Sequence, residues 1–476
     1  MGHVEQNSVH NTVRGLWADD ILPSLCGLVE IPALSPVFDS EWQQSGQLEA
    51  AVEHVRGWLN ARQFPGATIE VVRLPGRSPV LLLDVPATED VSPDAGTVLL
   101  YGHLDKQPPV GGWSEGLGPW SPVVRDGRLY GRGSADDGYA GYAAAAALSA
   151  VRAAGGSHAR AVVLLETGEE SGSPDLPAYL EQLAERLGRV TFVVCLDSGG
   201  NDYQRLWLTT SLRGMVQVDV TVRVLESAQH SGLASGVVPS SFRILRSLLD
   251  RVEDAGTGQI LLDEFNVEIP ANRRAETVAT AEVAPGATAK AFPLAAGMRP
   301  AAEDEVELLL NNSWRPTLSV IGGAGLPDPA EAGNVLRDAT TLALSFRLPP
   351  TADSAAALSA VRKVLTTDVP YGATVELSGL EQADGWNAPE AAPWLADGLE
   401  RVSEQVFGAP WRSVGLGGSI PFMGLLGEKY PEAQFLVTGA LGPDSNAHVP
   451  DEWLHLDQAQ RVTEAVAHLL HAHARG

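Results

Sequence analysis

The sequence predicts an α/β fold: a mostly parallel sheet with helices on both faces, into which a smaller α+β domain of the split-βαβ, ferredoxin-like kind is inserted. Three observations carry this expectation. Short, almost wholly apolar runs (TVLLY from Thr97, ARAVVLLE from Ala159, VTFVVCLD from Val190) alternate with helical patterns, as strands buried on both faces and joined by crossovers do. At Arg213 the texture changes to MVQVDVTVRV, in which apolar and polar residues alternate as in a sheet with one solvated face. The chain has 476 residues, more than one core usually organises, so two domains are expected.

In chain order, residues 12–31 and 47–62 carry apolar positions at helical spacing and predict two packing helices. TIEVVRL from Thr68, VLLLDV from Val80 and TVLLY then open the sheet. An alanine-rich helix follows Asp137, then a strand, a helix near Leu176–Leu187 and the strand ending at Asp197. From Arg213 the expected order is strand, helix (Pro239–Arg251), strand (Thr317–Ile321), strand (Thr340–Leu348), helix (Ala352–Leu365), strand (Ala373–Leu380), with residues 268–304 a loop-rich crossover bearing extra helix. From Gly385 the chain returns to the larger domain through a helix near Trp394, the turn GLGGSIP, a strand QFLVTGAL and a last helix from Asp457.

The net charge of -26, from 59 acidic against 33 basic residues, repels nucleic acid and anionic membrane surfaces. Cys26 and Cys195 stand alone in apolar segments, so no disulfide framework can be read and a reducing compartment is expected. The first residues lack the basic-then-apolar pattern of a leader and no segment reaches membrane-spanning length, so a soluble, cytoplasmic protein is expected.

His103, Glu169 and Asp197 lie just beyond the carboxyl ends of their strands, where open α/β sheets gather ligands. With Asp105, Asp136, Glu170 and His448 they form a set of imidazoles and carboxylates without thiolates, which suits Zn, Mn or Co, and the excess of acids suits two ions sharing a ligand. Singly, a His-x-Asp after a strand or paired Glu in a turn is more often structural or solvated; together they require a run of coincidences. Asp137 is expected to cap the helix starting near Gly138, and His455, His468, His471 and His473, on or near the terminal helix, are expected to be solvated.

HLD, GRGSADD, ETGEESGS, CLDS, QHSG, GGSIP and the late His448 together resemble, in order and spacing, the dinuclear metallopeptidase family of carnosine dipeptidase, cytosolic nonspecific dipeptidase, aminoacylase and succinyl-diaminopimelate desuccinylase, the dipeptidase branch most of all. The resemblance spans essentially the whole chain. It implies a metal-binding catalytic domain over residues 1–212 and 385–476 and a lid and dimerisation domain over 213–384. It implies two divalent ions, Zn or Mn with Co possible, held by His103, Asp136 as bridging carboxylate, Glu170, Asp197 and His448. Asp105 would orient His103 and raise its basicity. Glu169 would be the general base, taking a proton from a metal-bridging water and returning it to the leaving amine. His230 would stabilise the oxyanion in the site of a partner subunit, which makes a homodimer the working form. Arg347 would grip a substrate carboxylate, with Gly418, Ser419 and Asn334 beside it.

Two departures from the family pattern stand out. Relatives often continue SADD with Lys-Gly, whereas Gly138 and Tyr139 follow here, and a hinge-side His of dipeptidases is replaced by Glu381. An acid at that point would repel a carboxylate and favour a cationic group. The implied reaction is amide hydrolysis of a dipeptide or short peptide with a free carboxyl end; the alternative keeps the site and takes an N-acyl or N-carbamoyl amino acid. A non-catalytic binding homologue is disfavoured, since the ligand set and Glu169 are intact.

Overall fold

The computed structural model describes residues 6–418 and 421–476. The chain divides into two compact units. The first comprises the described residues up to Thr210 with Ala388–Val414 and Leu425–Gly476; the second comprises Ser211–Asn387 with the described part of Gly415–Gly424. That last segment stands with the second unit because Leu416 and Gly417 accept hydrogen bonds from Arg213.

The first unit is built on a six-stranded sheet in the order Thr68–Val72, Val80–Val85, Arg160–Glu166, Thr97–His103, Val190–Cys195, Gln434–Val437. Its last four strands are parallel, and the first two are antiparallel additions at one side. Helix Ala140–Ala153 is buried almost throughout, which explains its composition: alanine lets the sheet and the helices Gln6–Leu16 and Leu456–His473 approach closely. Gly102 is part of this fit, since a Cβ there would lie 2.7 Å from the Cβ of Ala140. The end of the strand bearing His103 is thus pressed onto the start of the helix that follows Asp136. A separate antiparallel sheet, Val123–Arg125, Arg128–Tyr130 and Trp453–His455, was not expected from the sequence because each strand has three residues.

The terminal helix corrects one expectation. His468 and His473 are buried, not solvated, because the helix packs against Ala140–Ala153 and Pro393–Val402. His473 Nε2 lies 3.0 Å from Thr191 Oγ1, and His471 Nδ1 accepts from the Ser157 amide at 3.0 Å. Burial pushes His468, His473 and the core residue His158 each down to about 4, with Arg401 and His471 beside the first, Arg189 beside the second and Arg152 beside the third reinforcing the shift. These rings fold neutral. Their contribution is therefore complete above the unfolded value of about 6.5 and is lost as pH falls from there towards 4, by roughly 1–3 kcal/mol per ring. Denaturant titrations at pH 7, 5.5 and 4.5 should show a shallower loss for His468→Gln than for the wild type; identical slopes would remove His468 from the account.

The second unit is an antiparallel sheet in the order Thr317–Ala324, Ala339–Leu348, Gly214–Arg223, Thr374–Ala383, crossed on one face by helices Ser241–Leu249 and Ser354–Thr366. This is the split-βαβ order. Val216, Val218, Val220 and Val222 point into the core with Ile244, Leu245, Phe346 and Val361, and alternate residues of the strand lie outside it. Side chains of Ser240 and Asp353 cap the two helices. The expected crossover carries the helices Ala271–Val283 and Ala287–Lys290, and the helix Glu305–Ser313 follows it. Among the described residues no helix is long and apolar enough to cross a membrane.

Candidate metal centre

Three parallel strands deliver the cluster. Thr97–His103 ends on His103, its neighbour Arg160–Glu166 stops three residues before Glu169, and Val190–Cys195 stops two before Asp197. His103 Nε2 lies 3.4 Å from Asp136 Oδ1, 3.9 Å from Asp197 Oδ2 and 4.0 Å from Glu169 Oε2. His448 Nε2 lies 2.8 Å from Asp136 Oδ2 and 3.3 Å from Glu170 Oε2. Asp136 thus turns one oxygen to each imidazole. Ligand atoms of His103, Asp136 and Glu170, and separately of His103, Glu169 and Asp197, all fall within 4.8 Å of one another.

Asp105 knits the cluster together. Its Oδ1 accepts from the Glu169 amide at 3.2 Å and its Oδ2 from the Glu170 amide at 3.0 Å. His103 Nδ1 meets the Asp105 carbonyl at 3.0 Å, which leaves Nε2 facing the other acids. That Nε2 is fully buried with no hydrogen-bond partner.

The electrostatics describe a site short of positive charge. Burial and the neighbouring Asp136 push Asp197 to about 7 and Glu170 to about 9; burial and Asp197 raise Glu169 well above the carboxylate range. Burial opposes protonation of His103, but Asp105, Asp136 and Asp197 outweigh it and raise the ring well above its usual value; the hydrogen bond to Asp136 raises His448. Packed carboxylates that repel one another, around an orphaned imidazole nitrogen, fit divalent cations. Oxygen and imidazole donors without thiolate fit Zn, Mn or Co.

Asp137 is not the helix cap expected of it. The helix begins at Ala140, its amino end is flanked by Tyr139, and Asp137 contributes only its backbone carbonyl, to the Ala140 amide at 2.9 Å. Both side-chain oxygens are buried without a hydrogen bond, and burial and Asp197 raise its carboxyl strongly.

The remaining candidates lie in the second unit. His230 is exposed, its Nδ1 accepting from the Gly232 amide at 3.1 Å, and strand pairing sets it opposite Val335. Asn334 stands beside it, its carbonyl accepting from the Ser231 amide at 2.9 Å. Arg347 occupies Ala339–Leu348, in register with Thr317 on one side and Met215 on the other. Gly418 is exposed in the turn after Leu416, and Ser419 lies outside the described residues. Glu381 is exposed after a bulge in Thr374–Ala383 and pairs with Gln217.

Sequence reasoning missed the group that supports the centre. Arg132 and Glu452 form a buried ion pair at 2.6 Å. Glu452 Oε1 accepts from the amides of Ala135 and Asp136 at 3.2 and 3.4 Å, while Arg132 donates to the carbonyls of Pro108 and Val449 at 3.3 and 3.2 Å. The pair therefore ties the loop after Asp105, the turn of Asp136 and the loop of His448 into one unit. Gln107 donates to Glu170 Oε2 at 2.6 Å. Lys106, buried and pushed down to about 7 by that burial, donates to the carbonyls of Leu28 and Ile31 at 2.7 Å, capping the helix Leu22–Glu30. The only signal in the sequence was proximity: Arg132 is four residues before Asp136, and Glu452 four after His448.

A model of peptidase family M20/M25/M40 matches residues 99–472. Cysteinylglycine-S-conjugate dipeptidase of Corynebacterium striatum is 28% identical over 386 residues, covering 79% of this chain and 81% of that protein. Human Beta-Ala-His dipeptidase is 28% identical over 298 residues, covering 60% and 55%. Among solved structures, the di-peptidase Dug1p of Saccharomyces cerevisiae superposes with a TM-score of 0.73 at 21% identity over 99% of both chains, and human carnosine dipeptidase 1 with 0.72 at 23%, again over 99% of both. The family match runs from the strand that ends on His103 into the terminal helix, and so takes in the whole cluster: the chain belongs to peptidase family M20/M25/M40 and is an amidohydrolase of the metallopeptidase type.

Proposed function

We propose that this enzyme is a dinuclear metal-dependent hydrolase of dipeptides or short peptides with a free carboxyl end. The observation that carries the reading is Asp136, with one oxygen toward His103 and the other toward His448 at 3.4 and 2.8 Å. His103 and Asp197 would hold one ion, His448 and Glu170 the other, and Asp136 both, with Zn or Mn the expected metals and Co admissible. When bound, such a pair lowers the proton affinity of water and polarises the scissile carbonyl. Glu169 takes the proton from the attacking water and delivers it to the departing amine, while Asp105 keeps His103 in the tautomer that presents Nε2. Arg347, with Gly418, Ser419 and Asn334, receives the substrate carboxylate.

In this reading residues 1–212 and 385–476 form the catalytic domain, residues 213–384 the lid and dimerisation domain, and the working form is a homodimer in which His230 of one protomer serves its partner's site. A cytoplasmic setting fits the two unpaired cysteines. His230→Ala is expected to lower turnover on the order of 10²–10³-fold with metal content unchanged, as loss of an oxyanion donor does; unchanged catalysis would remove His230 from the mechanism. A second substrate class, N-acyl or N-carbamoyl amino acids, would use the same ligand set and base, and the exposed acid Glu381, where the dipeptidase branch carries a hinge-side His, is the departure from that branch that motivates it. Amine release from a matched panel of dipeptides and N-acyl amino acids, with the protein loaded with Zn or Mn, separates the two. Dipeptide turnover supports the first reading, and turnover confined to acyl compounds moves the enzyme to the deacylases.

A further inference from the structure

Arg213 is 7% exposed, yet its guanidinium meets only neutral groups. Nε donates to the Gly417 carbonyl at 3.1 Å, and Nη1 lies 3.4 Å from the carbonyls of Asn311 and Arg315 and from Thr317 Oγ1. Nη2 has no protein acceptor among the described residues and sits beneath the Gly417–Gly418 turn, where a Cβ on Gly417 would come within 2.9 Å of it. Thr317, which Arg213 holds, is the strand partner of Arg347, and Arg347 also pairs with Met215, two residues beyond Arg213. The charge that Arg213 feels is that of Arg347: burial and this neighbour lower it to about 10, and no carboxylate offsets them. Arg347 has no ion pair among the described residues either. Arg213 is thus a buried cation without a counter-ion among the described residues, and because a buried cation is tolerated only when it is paired, it calls for one from outside.

Resting on the proposed reading of Arg347 as the carboxylate anchor, we infer that Arg213 is a positioning residue that also sets specificity: it fixes the Gly417–Gly418 turn and the Thr317 strand around Arg347 and supplies a second positive charge that selects a substrate with a free carboxylate over its amide. The selectivity then tracks the charge at position 213 and not the hydrogen bonds alone.

The test compares kcat and KM for a dipeptide and its C-terminal amide, or for an N-acyl amino acid and its amide if that class is the one turned over, in the metal-loaded full chain. Arg213→Lys, which keeps the charge, should preserve the preference for the carboxylate. Arg213→Gln, which keeps donors but not charge, should cut that preference on the order of tenfold through KM, with kcat little changed. Parallel losses on carboxylate and amide, or an unchanged preference, would overturn the inference. Arg347→Gln provides a check that leaves the buried residue intact: preference for the carboxylate should fall but persist, and its complete disappearance would show that Arg213 contributes nothing. Wild-type protein inactive on every carboxylate substrate would defeat the proposed function and the inference together, whereas turnover indifferent to residue 213 would defeat the inference alone.

Discussion

Glu169→Gln is expected to abolish amine release while the protein still binds its metal ions. The substitution keeps the size of the side chain and its place in the turn after Arg160–Glu166, and removes the ability to accept and return a proton. General acid–base catalysis contributes on the order of 10²–10⁴-fold, and in the proposed mechanism one group serves both the water and the leaving amine, so the loss should fall at the upper end. Glu169 is not assigned to hold an ion, and its amide is already bonded to Asp105 at 3.2 Å, so neither metal content nor local backbone should change. Parallel measurement of amine release and bound metal checks this; a nearly fully active variant would sink the assignment.

The second large effect is expected at a distance from the chemistry. Arg132→Met should strip Glu452 of its partner in a site where both side chains are buried, at a cost of about 3–5 kcal/mol, the range for an ion pair broken from one side. The same change releases the Val449 and Pro108 carbonyls, so affinity for metal should fall along with stability. Burial and Asp136 push Glu452 up to about 7 even with Arg132 beside it, so that carboxylate is the group left exposed to loss. Denaturant unfolding with a metal titration reads both effects, and Arg132→Met with Glu452→Gln should recover part of the stability. A change within about 1 kcal/mol would contradict the keystone role.

What could be read in the sequence follows from what local pattern encodes. Thr97–His103 and Arg160–Glu166 are nearly pure apolar runs, so their burial and the placement of His103 and Glu169 at strand ends were legible from a dozen residues each. The antiparallel second unit was legible from the alternation of Gly214–Arg223 for the same reason. Arg132 and Glu452 were not, because the pair spans 320 residues and only the fold brings them together. The three-residue strands Val123–Arg125 and Trp453–His455 are too short to show a period. Asp137 was misread because Asp before an alanine-rich helix is an ordinary cap, whereas here the helix starts later and the side chain turns into the core. His468 and His473 were misread because polar residues were taken to mark a solvated face, on a helix packed on several sides.

The central claim is that two ions flank Asp136 and that catalysis needs both. It is tested most directly by stripping the protein with a chelator and adding back Zn or Mn by fractions of an equivalent while following bound metal and amine release from a dipeptide. The account predicts saturation at two ions per chain, with activity rising as the second site fills and Asp136→Asn lowering affinity for both. Saturation at one ion with full activity, or turnover that survives complete removal of metal, would contradict it.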